Sequence, residues 1–327
     1  MKPFKLTVFT EPVAPAGFIQ EMKSFIRPAK FFLQGKKPPG KKKYGGHYAV
    51  TRSLVEGLEK IGADFNYNPI RKKNIAENVI VLAGVGRLKE IIELKKKGKI
   101  KKLFAGPNIC ESPNEENGIL ANKAIDVCIV PSQWVGVSYL EEENDLRGRI
   151  EIWHAGVDSN YWQPSAKKKN RDVIIYWKTE EEEFCKAIED IIRNHNYNPV
   201  RVKYGNYSSK EYKEGLDIAV FAVFVSRSES QGIALAEAWS MDVPTYVWDP
   251  GELVYKNRKY KNITACPYLT EEAGLKWIEL NELKEIVDRT QKGVLSFKPR
   301  KYVLRSFSDE QSASDLVNKF QCFPPVK

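Results

Sequence analysis

The sequence contains few of the residues that build disulfide frameworks or metal centres. Its 327 residues include only three histidines, so a histidine-rich metal site is not expected. No two cysteines share a Cys-x-x-Cys spacing, and an odd number of scattered cysteines argues against a disulfide scaffold or a zinc site. We expect reduced, buried thiols at Cys110, Cys128, Cys185, Cys266 and Cys322.

Long apolar runs are also missing. No run approaches the roughly 20 residues that a membrane-spanning helix needs. At the N-terminus, Met1-Lys-Pro-Phe-Lys5 precedes only a short apolar piece, residues 6–9, which is not the pattern of a secretory signal peptide. We therefore expect a soluble protein of the cytoplasm.

Acidic residues are scarce relative to basic ones, mainly in the first half. The formal net charge is +10: residues 1–164 carry 26 Lys and Arg against 18 Asp and Glu, and residues 165–327 carry 26 against 24. The lysine runs are either solvated helix ends and turns or a surface for an anionic partner, such as a membrane reached through Lys41, Lys42 and Lys43. Nucleic acid is not an expected partner, because aromatic residues interleaved with the basic ones and a known binding motif are both missing.

Strands alternate with helices along both halves, which predicts two open parallel-sheet α/β domains, and the chain is long enough for two cores. The first series includes a helix at 47–61 and strands at 79–83, 102–105 and 126–131. Polar, lysine-rich residues 165–170 indicate a linker to a second series, which starts with a strand at 172–177 and includes a short strand at 263–266. We therefore predict domains over residues 1–164 and 165–300, with a C-terminal helix near 301–327 that packs back near the first domain.

Residues 226–248 hold two carboxylates, Glu229 and Glu237, around a helix that starts near Gly232. Apolar residues surround Glu237, and a buried carboxylate is costly unless hydrogen bonds reach it, as hydroxyls of a ligand would provide. The free N–H groups at the start of a helix favour an anion such as phosphate. The combination indicates a nucleotide-sugar site, although a single Glu on a helix most often faces solvent.

The order Ser226-x-Ser-Glu-Ser-Gln-Gly232, followed by Glu237-Ala238 and Pro244, resembles the E-x7-E signature of family 4 glycosyltransferases of the GT-B fold. Ala155-Gly-Val-Asp158, with an aromatic residue and Pro164 after it, resembles the segment at which these enzymes leave their first domain. The resemblance implies two Rossmann-like open parallel-sheet domains facing a central cleft. It also implies an acceptor domain at 1–164, a donor domain at 165–300, and sugar transfer from a nucleotide sugar with retention of configuration.

The resemblance also assigns roles within residues 229–237. Glu237 is expected to accept the ribose hydroxyls, since one carboxylate can receive two O–H donors, and Glu229 to hold hydroxyls of the transferred sugar. The N–H groups around Gln231, Gly232 and Ile233 would meet the distal phosphate, with Ser230 in the same donor-binding stretch.

The main departure from the family pattern concerns the cations expected to bind the diphosphate. The family supplies an Arg and a Lys after the first strand of the second domain, in a Gly-Arg context, whereas this chain has Ile175-Tyr-Trp-Lys178. Lys178 is therefore the candidate catalytic cation, and Lys203 on the next strand is a weaker substitute. In the alternative interpretation, Lys178 is an exposed residue before a helix.

Four further donor-site candidates lie in the first domain. Gly45 and Gly46 belong to a loop that the family places beside the cleft, and His47 follows them. Asn108 stands in a loop where many relatives carry a histidine. Each also has a plain interpretation, because Gly-Gly and Gly-Pro-Asn form tight turns and a lone histidine is usually structural or exposed.

No cofactor or metal is expected, because the chain lacks the Asp-x-Asp pair with which glycosyltransferases of the other major fold hold a metal. The expected partners are a nucleotide sugar and a glycan or a lipid- or protein-linked sugar acceptor, and the basic half would rest on an anionic membrane or bind a charged acceptor. Two alternatives remain open: a non-catalytic GT-B protein that binds sugars or polyanions, and a nucleotide-sugar epimerase or hydrolase.

Overall fold

The computed structural model of the chain describes residues 4–11, 48–167, 169–178, 181–255 and 258–323. Within these residues the chain forms two compact units. The first takes in the described residues of Met1–Val130, Tyr139–Glu151 and Leu316–Lys327, and the second takes in those of Pro131–Ser138 and Ile152–Asp315. Each unit is built on a parallel sheet with helices, which confirms the predicted fold class.

The first unit contains a sheet with six described strands in the order β2-β1-β3-β4-β5-β6. The strands are β1 Leu6–Thr10, β2 Phe65–Tyr67, β3 Asn78–Ala83, β4 Lys102–Asn108, β5 Val127–Val130 and β6 Ile150–Ile152. The helices are α1 Tyr48–Lys60 and α2 Val85–Lys96, and short helical turns cover Lys72–Asn74, Glu115–Gly118, Ile119–Ala121 and Asn144–Leu146. Helix α3 Gln133–Glu142 is divided, with residues 133–138 in the second unit and 139–142 in the first. Strands β1 and β4 each pair in parallel with β3, and the uninterrupted burial of Val79–Ala83 is typical of a parallel strand covered on both faces.

The second unit contains a sheet with five described strands in the order β13-β10-β9-β7-β8. Its strands are β7 Asp172–Trp177, β8 Asn198–Lys203, β9 Phe221–Val225, β10 Thr245–Trp248 and β13 Gly274–Trp277, and an antiparallel hairpin is formed by β11 Glu252–Tyr255 and β12 Arg258–Lys261. The helices are α4 Glu182–Asn194, α5 Ser209–Ile218, α6 Ile233–Ser240, α7 Leu280–Gln291, α8 Pro299–Ser306 and α9 Asp309–Cys322, of which residues 316–322 belong to the first unit.

Alternate residues of β7 build two different cores, one on each face of the second sheet. Val173 and Ile175 belong to the core that includes Ile188 and Ile192 of α4, whereas Ile174 and Tyr176 belong to the core built with α5 and α6. All four neighbouring pairings of this sheet are parallel, so the strands end at one edge. Ligands of open parallel sheets bind at this carboxyl edge.

The end of the chain differs from its prediction. Residues 301–327 were expected to contain one helix, but α8 ends at Ser306 and α9 begins at Asp309. Val157 fills the break: its N–H donates to the Phe307 carbonyl at 2.8 Å, and it forms a parallel bridge with Ser308. The chain therefore joins the second unit well before the predicted linker at 165–170.

Among the described residues, no helix is both long and apolar enough to cross a bilayer.

The predicted strand at 263–266 is wrong, because these residues form a loop. Its backbone is held by side chains instead of a strand neighbour: Asp249, directly after β10, accepts from the Ala265 N–H at 2.8 Å and from the Thr264 hydroxyl at 2.9 Å. The edge of the sheet is formed by β13, a strand that the sequence did not predict. All five cysteines are free, but Cys322 is exposed rather than buried and Cys110 is half-buried.

Candidate functional site

The candidate site lies at the carboxyl edge of the second sheet, where β7 and β9 run side by side. Trp177 and Val225, the last residues of these strands, are in register. The next residue, Lys178, donates its backbone N–H to the Val225 carbonyl at 3.1 Å. Lys178 is therefore placed beside the loop of residues 226–232, which carries Glu229.

Lys178 and Glu229 form an ion pair. The Lys178 Nζ lies 2.9 Å from the Glu229 Oε1, and the side chains are only 25% and 20% exposed. The same ammonium lies 4.9 Å from the centroid of the Tyr204 ring, in cation–π range. The two residues to which the sequence assigned phosphate and sugar hydroxyls are thus brought together, with an aromatic ring beside them.

Backbone hydrogen bonds hold the loop that carries Glu229. The Glu229 N–H donates to the Thr264 carbonyl at 3.0 Å, and its carbonyl accepts from the Trp134 Nε1 at 2.9 Å. Two residues later, the Gln231 Oε1 accepts from the Ala155 N–H at 3.0 Å. The Gln231 Nε2 is buried and has no hydrogen-bond partner within the described part of the chain.

Gly232 is the residue before helix α6 and has a left-handed backbone, with φ of +68°. A Cβ at this position would stand 3.3 Å from the Leu235 Cδ1 and 3.7 Å from the Pro267 Cδ. Because an α-helix cannot satisfy its own first N–H groups, the amides after Gly232, beginning with Ile233, have no acceptor within α6. The helix dipole makes this end partly positive, so it is suited to an anion.

Gly232→Ala is expected to destabilise the second unit by about 1–2 kcal/mol, because a left-handed backbone is unfavourable for a residue with a Cβ. Gly251→Ala is the control for the backbone conformation alone, since Gly251 has φ of +76° and a Cβ there would meet open space, so any additional loss at Gly232 reports the contact with Leu235. Urea denaturation of the two variants measures the strain at each position. A Gly232→Ala variant as stable as the parent would contradict the strain argument.

Glu237 stands one turn after Ile233 in α6 and is half-buried among phenol groups. Burial raises the pKa of Tyr176, Tyr207 and Tyr212, and the nearby negative charge of Glu237 raises each of them further. These tyrosines therefore stay protonated at neutral pH. The Tyr176 and Tyr207 hydroxyls lie 3.1 Å apart and share a hydrogen bond.

Lys203, the weaker candidate cation, packs on the face of the second sheet opposite to Tyr176. Its ammonium lies 4.8 Å from the ring centroid of Trp177, its register partner, and the Arg201 guanidinium lies 5.4 Å from the same centroid. Arg201 in turn forms ion pairs with Glu182 and Glu189 of α4. Lys203 therefore belongs to the face that α4 covers, whereas Tyr176 lies on the opposite face.

In the first unit, the structure describes one of the four predicted site residues. Asn108 ends β4 in register with Ala83, and its Nδ2 is buried without a hydrogen-bond partner among the described residues. Gly45, Gly46 and His47 lie outside the described residues, as do Lys41, Lys42 and Lys43. Their roles, including contact with an anionic membrane, stay predictions.

Solved structures with the same architecture match nearly the whole chain. AviGT4, a glycosyltransferase involved in avilamycin A biosynthesis, has a TM-score of 0.54 and 11% identity, covering 98% of this chain and 97% of its own. The apo form of the lipopolysaccharide outer core galactosyltransferase WaaB has a TM-score of 0.51 and 12% identity, covering 97% and 99%. Sucrose-phosphate synthase from Thermosynechococcus elongatus has a TM-score of 0.52 and 14% identity, covering 97% and 98%. By sequence, no protein-family model and no curated protein matches.

These neighbours are GT-B glycosyltransferases, and their likeness extends over both units of this chain. The chain has the GT-B fold. The prediction of this fold is thereby confirmed, whereas the family 4 assignment, the roles of the E-x7-E residues and the cleft between the domains stay predictions.

Sequence reasoning missed several residues that shape the site of this GT-B chain. Asp249 is one of them: its side chain is 9% exposed and pairs with Lys276 at 2.7 Å while it holds Thr264, the residue that accepts the Glu229 N–H. An acidic residue directly after a buried strand is a usable signal for such a role. Tyr204, Tyr207 and Trp134 gave no such signal, because their contacts depend on distant segments.

The described residues contain no group of three or more His, Cys, Asp or Glu side chains arranged to hold a metal ion. Metal independence itself stays a prediction. Lys178 and the start of α6 both contribute positive charge at the carboxyl edge, and both suit a phosphate group.

Proposed function

We propose that this protein is a metal-independent, retaining glycosyltransferase that moves a sugar from a nucleotide-sugar donor to a hydroxyl of a glycan or of a lipid- or protein-linked sugar. The observation that carries the proposal is the placement of the Lys178 ammonium and the Glu229 carboxylate, 2.9 Å apart, at the carboxyl edge beside the Gly232 turn. One cation, one carboxylate and a helix start are the groups that a sugar diphosphate requires. The GT-B fold supports sugar transfer in general, and the E-x7-E resemblance supports retention.

The leaving nucleoside diphosphate gains negative charge as the bond to the sugar breaks. In the proposed mechanism, Lys178 and the first N–H groups of α6 stabilise that charge, and they act strongly because the protein holds them in place. Glu229 accepts hydrogen bonds from hydroxyls of the transferred sugar, and Glu237 accepts them from the ribose. In this mechanism the reaction needs no metal, because the Lys178 ammonium and the α6 helix dipole stabilise the negative charge of the leaving diphosphate.

Donor binding requires that Lys178 and Glu229 separate, because each is proposed to contact a different part of the ligand. In the protein without donor, each side chain neutralises the other. When a sugar diphosphate binds, Lys178 turns to the phosphate and Glu229 to the sugar, so both groups exchange one partner of opposite charge or polarity for another. Of these two side chains, only Lys178 gains a partner when a nucleoside diphosphate without sugar binds.

The test uses a panel of UDP-, ADP-, GDP- and dTDP-hexoses. A donor at about 100 times its dissociation constant should stabilise the fold by about 2.7 kcal/mol, which is easily measured as a thermal shift. Turnover with a panel of simple glycoside acceptors should release nucleoside diphosphate, give a product of retained anomeric configuration by NMR, and be unaffected by EDTA. Release without acceptor would indicate a hydrolase, and tight binding without release would indicate a non-catalytic sugar-binding protein.

A further inference from the structure

We propose that Trp134 is a positioning residue of the donor site, which fixes the direction of Glu229 through its backbone. The inference rests on the proposed function, because it gives Glu229 the transferred sugar as its ligand. Trp134 lies in the first turn of α3, within the segment Pro131–Ser138 that belongs to the second unit. It is separated from Glu229 by 95 residues in the sequence.

Glu229 is held at each of its polar groups. Its carbonyl accepts from the Trp134 Nε1 at 2.9 Å, its N–H donates to the Thr264 carbonyl at 3.0 Å, and its carboxylate meets the Lys178 ammonium at 2.9 Å. The first two bonds fix the peptide groups on both sides of the Cα. The direction of the Cα–Cβ bond follows from those peptide groups, so the carboxylate starts from a preset position.

The tryptophan side chain is suited to this task. An indole N–H only donates, and when the ring is packed in the protein it requires an acceptor, for which the Glu229 carbonyl serves. The Gln231 Oε1, bonded to the Ala155 N–H at 3.0 Å, holds the same loop two residues further along. The loop backbone before α6 is thus fixed at two residues before any donor arrives, so only the side chains of Lys178 and Glu229 have to change partners on binding.

Trp134→Phe removes the N–H and keeps most of the ring. We expect this variant to bind the nucleotide hexose selected by the panel about fivefold more weakly, the factor expected for one lost hydrogen bond. Its affinity for the corresponding nucleoside diphosphate should not fall, because that ligand makes no contact with Glu229 and a displaced Glu229 competes less for Lys178. A loss confined to the sugar-bearing ligand is a result that general destabilisation does not produce.

Trp153→Phe is the matched control. The Trp153 Nε1 donates to the Ser312 carbonyl at 2.9 Å in the same unit, and the residue is buried, but its bond does not involve residues 226–232. Both variants lose one indole hydrogen bond, and Trp153→Phe should lose at least as much free energy of unfolding as Trp134→Phe, because Trp153 is fully buried. Only Trp134→Phe should weaken binding of the nucleotide hexose more than binding of the nucleoside diphosphate. A similar difference between the two ligands in Trp153→Phe would overturn the proposal.

Trp134→His is the rescue variant, since a histidine ring can place its Nε2 where the indole Nε1 stands. It should recover most of the affinity for the nucleotide hexose, and it also serves if the phenylalanine variant does not fold. In a Glu229→Gln background, the Phe substitution should weaken binding by less than about twofold, because residues that act as a unit are not additive. Full additivity, or equal losses for both ligands, would refute the role of Trp134, whereas a parent protein that binds no nucleotide sugar would refute the proposed function instead.

Discussion

Glu237→Ala is expected to weaken binding of the nucleotide sugar by at least about 100-fold. The carboxylate is assigned two ribose hydroxyls, and hydrogen bonds to a charged group contribute about 1.5–3 kcal/mol each. Losing both costs about 3 kcal/mol or more, which corresponds to a factor of about 100 in the dissociation constant. Calorimetric titration with the donor measures this factor directly.

The same substitution should leave the fold intact. The three phenols near Glu237 have other partners, because Tyr176 and Tyr207 bond to each other and the Tyr212 hydroxyl donates to the Ala234 carbonyl at 3.0 Å. Removing the carboxylate therefore leaves none of these hydroxyls without a partner. Glu214→Ala, on the exposed side of α5, is the control for removal of one negative charge. If the folded Glu237→Ala variant bound and consumed the donor as the parent does, the assigned site would be wrong.

Lys178→Met and Glu229→Gln should have opposite effects on the binding of a nucleoside diphosphate. Lys178→Met removes the proposed phosphate cation, and we expect about 10-fold weaker nucleoside diphosphate binding and about 100-fold slower sugar transfer. Glu229→Gln releases Lys178 from its ion pair, so the nucleoside diphosphate should bind about threefold more tightly. Transfer should nevertheless fall about 100-fold, because the sugar loses its carboxylate.

The increase in affinity after removal of a site residue is the sharpest part of this prediction. It follows from the 2.9 Å distance between Nζ and Oε1 and from the low exposure of both side chains. Lys210→Met is a suitable control, because Lys210 is 80% exposed and pairs only loosely with Glu214 at 3.8 Å. Titrations at low and at high salt should show the difference shrinking as ions screen the charges. Weaker nucleoside diphosphate binding by Glu229→Gln would mean that Glu229 does not compete with phosphate for Lys178.

Much of the fold could be predicted from local residue patterns. The apolar residues of β7 and β9 form short, fully apolar runs, which fit strands covered on both faces, and their alternation with helices predicts parallel sheets. The strand predicted at 263–266 was wrong because its apolar residues are buried in a loop. Ile263 and Ala265 are buried in a loop that Asp249 holds by side-chain hydrogen bonds, so their pattern resembles a strand without a neighbour to pair with.

The break between α8 and α9 was also outside the reach of local patterns. It depends on Val157, which lies about 150 residues earlier and bonds to Phe307 in place of a helical neighbour. Gly156 permits this approach, since a Cβ there would stand 2.6 Å from the Asp309 Cα. The sequence contained the glycine but not the identity of the segment that passes it.

Residue order was sufficient for the two-sheet architecture, for the glycine turn that opens α6 and for the spacing of Glu229 and Glu237, because strand periodicity, backbone freedom and helix pitch act over a few neighbours. The pairing of Lys178 with Glu229 was established only by the register of β7 against β9. The support that Trp134, Thr264 and Ala155 provide to the loop depends on chain folding between segments far apart in sequence. Hydrogen bonds and ion pairs form over about 3 Å, so a partner is identified by where the chain returns, which no local pattern encodes.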